Sequence, residues 1–316
     1  MKKIPLSMEL LRGVHHLEKT AQGVMLQRMP ASVMELYQDI PGRVLRAQCP
    51  AGVRIMFYTD STTVRLPHCF GGASREIYSF DAFTDDVPAP FIVGNGVFTL
   101  NLSPGKHKVE ILVPHLVECF FGDLEIDDQA ELTPAAPAES GKLLFVGDSI
   151  MQGMTTSSPA KTYVDRVTRA ARTDFYNLGI GGMTVAPRWA ELIADEYEYS
   201  QMIFSLGVND FVSGKSLADY RKDLTEFLSY FAGKPMVIIS ITPFTSSPQT
   251  NPLGETVDQF RECVRELATH RPDTVFIPGE AVLPENPQYL IDGLHPNDLG
   301  AEVFARNLSK ALSRII

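Results

Sequence analysis

The hydrophobic period of this chain changes once, across the stretch TPAAPAES at 133–140, and that change calls for two kinds of structure in one polypeptide. Before it, apolar residues recur at every second position in short runs. VRIMFYT (53–59) places Val53, Ile55 and Phe57 on one side and Arg54, Met56 and Tyr58 on the other. Asn95-Gly96 is a hairpin signal, because both residues tolerate the positive φ of a tight turn. VFTLNL follows, with Phe98, Leu100 and Leu102 on one face, and Ser103-Pro104-Gly105 makes the next turn. KVEILVP then sets Val109, Ile111 and Val113 inward. Period two at this spacing predicts an all-β sandwich of jelly-roll type. No long helical pattern occurs between residues 20 and 130.

After the proline-containing stretch, which reads as a linker or a well-defined crossing segment, strand and helix patterns alternate. LLFV (143–146), DFYNLGI (174–180), QMIFSLG (201–207), PMVIISIT (235–242) and TVFIP (274–278) are strand runs. Between them lie the helical patterns YVDRVTRAAR (163–172), SLADYRKDLTEFLSYF (216–231) and VDQFRECVRELATH (257–270). In the second of these Ser216 fits the N-cap and Asp219 the N3 position. Leu217, Tyr220, Leu224, Phe227, Leu228 and Phe231 form its apolar face. Leu299, Val303, Phe304, Leu308 and Leu312 line a last helix. Such alternation predicts an α/β domain, a mostly parallel sheet with helices on both faces. The expected division is a β-sandwich over 1–135 and an α/β domain over 141–316, since 316 residues exceed one ordinary core.

Composition removes several function classes. A formal net charge of -10 lacks the basic field that nucleic acid or an anionic membrane requires. No apolar stretch reaches the length of a membrane span. Pro5, Ser7, Glu9 and Arg12 interrupt any secretory signal after Lys2 and Lys3. Cys49, Cys69, Cys119 and Cys263 form no C-x-x-C pair and sit beside no histidine cluster. They read as reduced thiols of a cytoplasmic protein rather than a zinc site.

In an open α/β sheet, ligands bind beyond the carboxyl ends of the strands. The strands deliver Gly147-Asp148-Ser149, then 177–182 (NLGIGG), then Gly207-Val208-Asn209-Asp210, then Thr242-Pro243-Phe244 to that rim; Asp292-Gly293-Leu294-His295-Pro296 follows near the end. This set contains the parts of an acyl-transfer site. A serine needs a base to take its proton, and His295 is the candidate; His270 falls at the polar end of a helix. The base needs an acceptor on its other ring nitrogen, and Asp292 precedes it by three residues. The oxyanion needs donors, for which Gly182 N–H, the Asn209 amide and Ser149 N–H are candidates.

The four segments GDSI, NLGIGG, GVND and DGLHP resemble, in order, the four blocks of the SGNH hydrolases, also called the GDSL esterase/lipase superfamily. The resemblance covers roughly 142–316. It implies a flavodoxin-like three-layer α/β/α domain with Ser149 as nucleophile and oxyanion donor. It also implies Gly182 and Asn209 as further donors, His295 as base and Asp292 as its partner. The second block departs from the family pattern, with Gly181-Gly182-Met183 where many members have Ser-Gly-Asp; register favours Gly182. A preceding β-sandwich resembles two-domain members that include carbohydrate esterases and acyltransferases. The expected activity is hydrolysis of short-chain O-acyl esters, with acetylated carbohydrate as one substrate class, and no metal or organic cofactor. An acyltransferase using the same acyl-enzyme and a non-catalytic carbohydrate-binding protein are the alternatives.

Other residues carry ordinary readings. Asp148 and Asp210 fit hydrogen bonding to nearby backbone N–H groups better than a metal-dependent phosphoesterase, which needs a histidine cluster as well. Trp189 is open between lining the pocket and packing a helix. His15 and His16 read as surface or packing residues. Oligomeric state is not legible.

Overall fold

The computed structural model describes residues 1–313. Its β-rich half consists of two antiparallel sheets, of eight and six strands, closed around one apolar core. Val53, Ile55, Phe57, Val109, Ile111 and Val113 all point into that core, as their alternation requires. The Asn95-Gly96 turn joins strands Phe91–Gly94 and Val97–Asn101, with φ of 51° and 71°. That is the geometry for which an Asn-Gly pair is suited.

Two features depart from expectation. Thr133 and Pro134 belong to an edge strand, Leu132–Pro134, paired with Arg54–Thr59, so the connecting segment is shorter than TPAAPAES. Two short helices, Ala31–Leu36 and Pro41–Gln48, interrupt the β-rich half. They are too short to show a clear 3.6-residue period, and Pro41 opens the second at the position where a missing N–H costs nothing.

The α/β half holds five parallel strands: Lys142–Gly147, Asp174–Asn177, Gln201–Ser205, Met236–Ile239 and Thr274–Ile277. Numbered along this half, their spatial order is 2-1-3-4-5, the flavodoxin-like order. Successive side chains divide between the faces. Leu144, Val146, Met202 and Phe204 pack with Trp189, Tyr220, Phe227 and Phe260. Leu143, Phe145 and Ile203 pack with Tyr163, Val167, Phe304 and Leu308. The helix Leu217–Ser229 is capped by Ser216, whose Oγ accepts from Asp219 N–H. Tyr220, Leu224, Phe227 and Leu228 are buried on its inner face. Of the residues expected to line the last helix, Asp298–Leu312, only Leu299 is exposed. It sits in the first turn, beyond the edge of the apolar stripe.

The halves are joined through buried charge. Glu110 on the strand His107–Leu112 receives Arg54 at 2.8 Å and Arg169 at 2.9 Å, while Arg54 also donates to Asp165 at 2.8 Å. Burial weighs against the charge of both carboxyls. The two arginines outweigh it at Glu110, which ends below its usual range, and do not at Asp165, which ends above.

Candidate active site

Reversal of strand order about Lys142–Gly147 opens a crevice at its carboxyl end, and Ser149 stands there. Gly147 is required by close approach, since a Cβ would lie 2.8 Å from the Met151 side chain. Asp148 then caps the one-turn helix Ser149–Gln152, its Oδ1 accepting from Ile150 N–H at 2.9 Å. Ser149 therefore occupies the first helical position, where its own N–H has no intrahelical acceptor.

His295 arrives from a loop tied to the segment that follows the fourth strand. Gly293 takes a φ of 76°, and its carbonyl accepts from Thr245 N–H and Ser246 N–H at 2.6 and 3.1 Å. Asp292 Oδ1 accepts from Leu294 N–H and His295 N–H at 3.1 and 2.8 Å, so the turn holds its carboxylate. Asp292 Oδ2 lies 2.7 Å from His295 Nδ1, and His295 Nε2 lies 2.8 Å from Ser149 Oγ. The carboxylate can only accept, so Nδ1 carries the proton and Nε2 offers its lone pair to the serine hydroxyl. Burial opposes ionisation of Asp292. The backbone and ring hydrogen bonds from His295 outweigh it and hold the carboxyl below its ordinary range.

The glycine loop after the second strand is tied down one amide at a time. Gly179 N–H donates to Asn177 Oδ1, Ile180 N–H to Gly147 O, Gly181 N–H to Gln152 Oε1, and Met183 N–H to Ile180 O. Among the described residues Gly182 N–H alone in this run has no acceptor. Of the two glycine amides in question, Gly181 N–H is therefore engaged and Gly182 N–H is free to donate. Asn209 donates one amide hydrogen to Met183 O at 2.9 Å and retains the other.

Asp148 and Asp210 take the backbone-bonding roles expected of them. Asp210 is fully buried, accepts from Val185 N–H at 3.0 Å and pairs with Lys215 at 3.0 Å. Burial, with the repulsion of Asp210, pushes Asp148 up to about 7. Trp189 is not a pocket residue. It lies fully buried in the helix Pro187–Ile193, stacked on Phe227 at 6.0 Å. His15 contacts Glu196 and His16, and His270 caps the helix Val257–Thr269. Among the described residues, no group of three or more His, Cys, Asp or Glu side chains converges as a metal site. A cavity of about 470 Å³ lined by Arg12, Lys142 and Asp174 lies at the amino ends of the strands, away from the serine.

Sequence reasoning missed the surroundings of the glycine loop. Gln152 is fully buried and holds Gly181; Arg46 Nη1 donates to Gly181 O at 2.9 Å and Arg43 Nη2 to Gly182 O at 3.1 Å. Arg28, also fully buried, donates to Asn177 O at 2.6 Å. The three arginines come from the β-rich half, and only their position in space marks them.

A 2-1-3-4-5 parallel sheet, with Gly-Asp-Ser ending the first strand and Asp-Gly-Leu-His ahead of the last helix, defines an SGNH-type hydrolase domain behind an antiparallel β domain. The chain belongs to the GDSL-like lipase/acylhydrolase family, whose profile matches residues 145–303. No curated protein matches it. Among solved structures it is similar to the salicylyl-acyltransferase SsfX3 from a tetracycline biosynthetic pathway, at 20% identity, covering 99% of this chain and 97% of that one with a TM-score of 0.88. It is also similar to the acetyl xylan esterase Est2A from the rumen bacterium Butyrivibrio proteoclasticus, at 12% identity, 98% and 96% coverage and a TM-score of 0.63. A family two carbohydrate esterase from Clostridium thermocellum, in complex with cellohexaose, matches at 16% identity, 84% and 92% coverage and a TM-score of 0.62. Likenesses at this identity speak to the fold, and all three span both halves of the chain or most of them.

Proposed function

We propose that the protein is a serine esterase of short-chain O-acyl esters, with domains at 1–135 and 141–316. One observation carries this reading: Ser149, His295 and Asp292 stand in hydrogen-bonded series at 2.8 and 2.7 Å. Ser149 Oγ attacks the ester carbonyl as His295 takes its proton. The oxyanion rests against Ser149 N–H, Gly182 N–H and the Asn209 amide. His295 then protonates the departing alcohol, leaving an acyl-enzyme. Water, deprotonated by the same histidine, releases the acid and restores the serine. Acetylated carbohydrate is the substrate class to test first, in view of the esterase neighbours.

Transfer of the acyl group to an alcohol or amine instead of water is the second reading, favoured by the acyltransferase neighbour that matches nearly the whole chain. The central test is Ser149→Ala assayed on an activated acetate ester, with product analysis in the presence of added alcohol. Loss of hydrolysis is expected, and activity near wild type refutes the reading. Faster turnover of long acyl chains than of acetate would refute the short-chain assignment.

A further inference from the structure

Gly181 is held on both sides by one closed circuit of hydrogen bonds. Its N–H donates to Gln152 Oε1 at 2.8 Å, Gln152 Nε2 donates to Arg46 O at 2.8 Å, and Arg46 Nη1 returns to Gly181 O at 2.9 Å. Arg43, three residues earlier on the helix Pro41–Gln48, donates to the next carbonyl, Gly182 O, at 3.1 Å. Among the described residues neither arginine has a carboxylate within ion-pair distance. No acid competes with the loop carbonyls for them.

The geometry of one peptide unit gives this circuit a consequence. The Gly181–Gly182 peptide is trans and planar, so its C=O and N–H point in opposite directions. Arg46 on the carbonyl side therefore aims the unpaired Gly182 N–H to the other side. A guanidinium charge at 2.9 Å from the carbonyl oxygen also polarises the whole peptide, which makes its N–H a stronger donor. Gly182 has a φ of 79° and no side chain to restrict it, and the loop's own hydrogen bond, Met183 N–H to Ile180 O, closes a turn whose central peptide can sit in either of two flipped orientations.

We infer that Arg46 is a positioning residue for the oxyanion donor, and that the β-rich half thereby completes the reaction centre of the α/β half. This rests on the proposed role of Gly182 as an oxyanion donor. Arg46 touches no reacting atom; it acts through the Gly181–Gly182 peptide. Its removal must therefore weaken binding of the transition state and leave binding of the ester itself nearly unchanged.

The test compares Arg46→Met, Arg46→Lys and Ser149→Ala with wild type on p-nitrophenyl acetate. Each is also titrated with a trifluoromethyl ketone, whose carbonyl carbon bonds to Ser149 Oγ while the hydroxyl proton passes to His295, leaving a tetrahedral oxyanion. R46M is expected to lower kcat roughly 10- to 100-fold, less than deletion of an oxyanion donor outright. KM should stay within about twofold, because the donor serves the oxyanions of acylation and deacylation alike and both steps slow together. Affinity for the ketone should fall in step with kcat, and R46K should recover part of both. Wild-type kcat in R46M, a change confined to KM, or a fall in kcat with unchanged ketone affinity would each overturn the inference. Should urea unfolding show R46M to be unfolded, R46Q decides by the same comparison. An active S149A would instead defeat the esterase reading itself, so the two failures are distinguishable.

Discussion

Asp148 offers a prediction about stability that follows chiefly from its burial. Its carboxyl is pushed from 3.8 to about 7 in the native protein. In the unfolded chain it ionises near its ordinary value. Between these two values the native state binds the proton more tightly, so stability must fall as pH rises. The contribution is whole below pH 3.8, declines through the interval and levels off above about 7. A difference of about three pK units corresponds to roughly 4 kcal/mol at ~1.36 kcal/mol per unit. Asp148→Asn keeps an oxygen for Ile150 N–H and cannot ionise. The stability of the variant minus that of wild type should therefore grow with pH, by roughly 2 kcal/mol between about pH 5.5 and about pH 8.5. Urea unfolding at a series of pH values measures this directly; groups that do not interact with Asp148 cancel in the difference, while Asp210, whose charge repels it, stays part of it. Any fixed penalty for the extra amide N–H shifts the curve without changing its slope. A difference that stays flat, or declines, would refute the argument that burial keeps this carboxyl protonated.

Two further substitutions address the site and the joint between the halves. Asp292→Asn should lower kcat on the order of 100-fold with little change in KM, because His295 loses the acceptor that selects its tautomer. The effect should be smaller than for a buried triad aspartate, since the Asp292 side chain is 43% exposed and water can assist; a loss under about threefold would count against the triad. Glu110→Gln leaves Arg54 and Arg169 sharing only Asp165, and should destabilise the fold by about 3 kcal/mol in denaturant unfolding. An unchanged urea midpoint would show that this network contributes nothing net.

The parallel half was legible because its signals are local. Strand runs separated by helical patterns imply a parallel sheet covered on both faces, while the flavodoxin-like order came only from the resemblance of the four blocks; Ser216 with Asp219 marked a helix start that the structure reproduces. The candidate site residues could be picked out for a related reason. Ser149 and Gly182 follow strands in segments where glycine and turn residues cluster, and Asp292 and His295 share one turn. Trp189 was left open because a tryptophan near a glycine loop has the same local pattern whether it faces a cleft or a core. Arg54 and Glu110 occupy the second face of strands that alternate cleanly, a face that alternation assigns to water. Here that face is covered by the helix Tyr163–Ala171, and alternation carries no information about what covers a sheet.

Arg28 shows why the contribution of the β-rich half lay beyond reach. It is fully buried, and burial lowers its guanidinium to about 10. A buried charge of this kind is normally found beside an acid. Here its partners are backbone carbonyls: Cys49 O at 2.7 Å, Arg46 O at 2.8 Å and Asn177 O at 2.6 Å. Every residue has a carbonyl, so no residue type in the sequence could reveal these partners. Yet the same contacts tie the end of the helix that carries Arg46 to the start of the glycine loop that carries Gly182. The β-rich half is therefore not a separate module placed beside a finished site. Its arginines supply hydrogen bonds that the loop's own glycines, without side chains, cannot make for themselves.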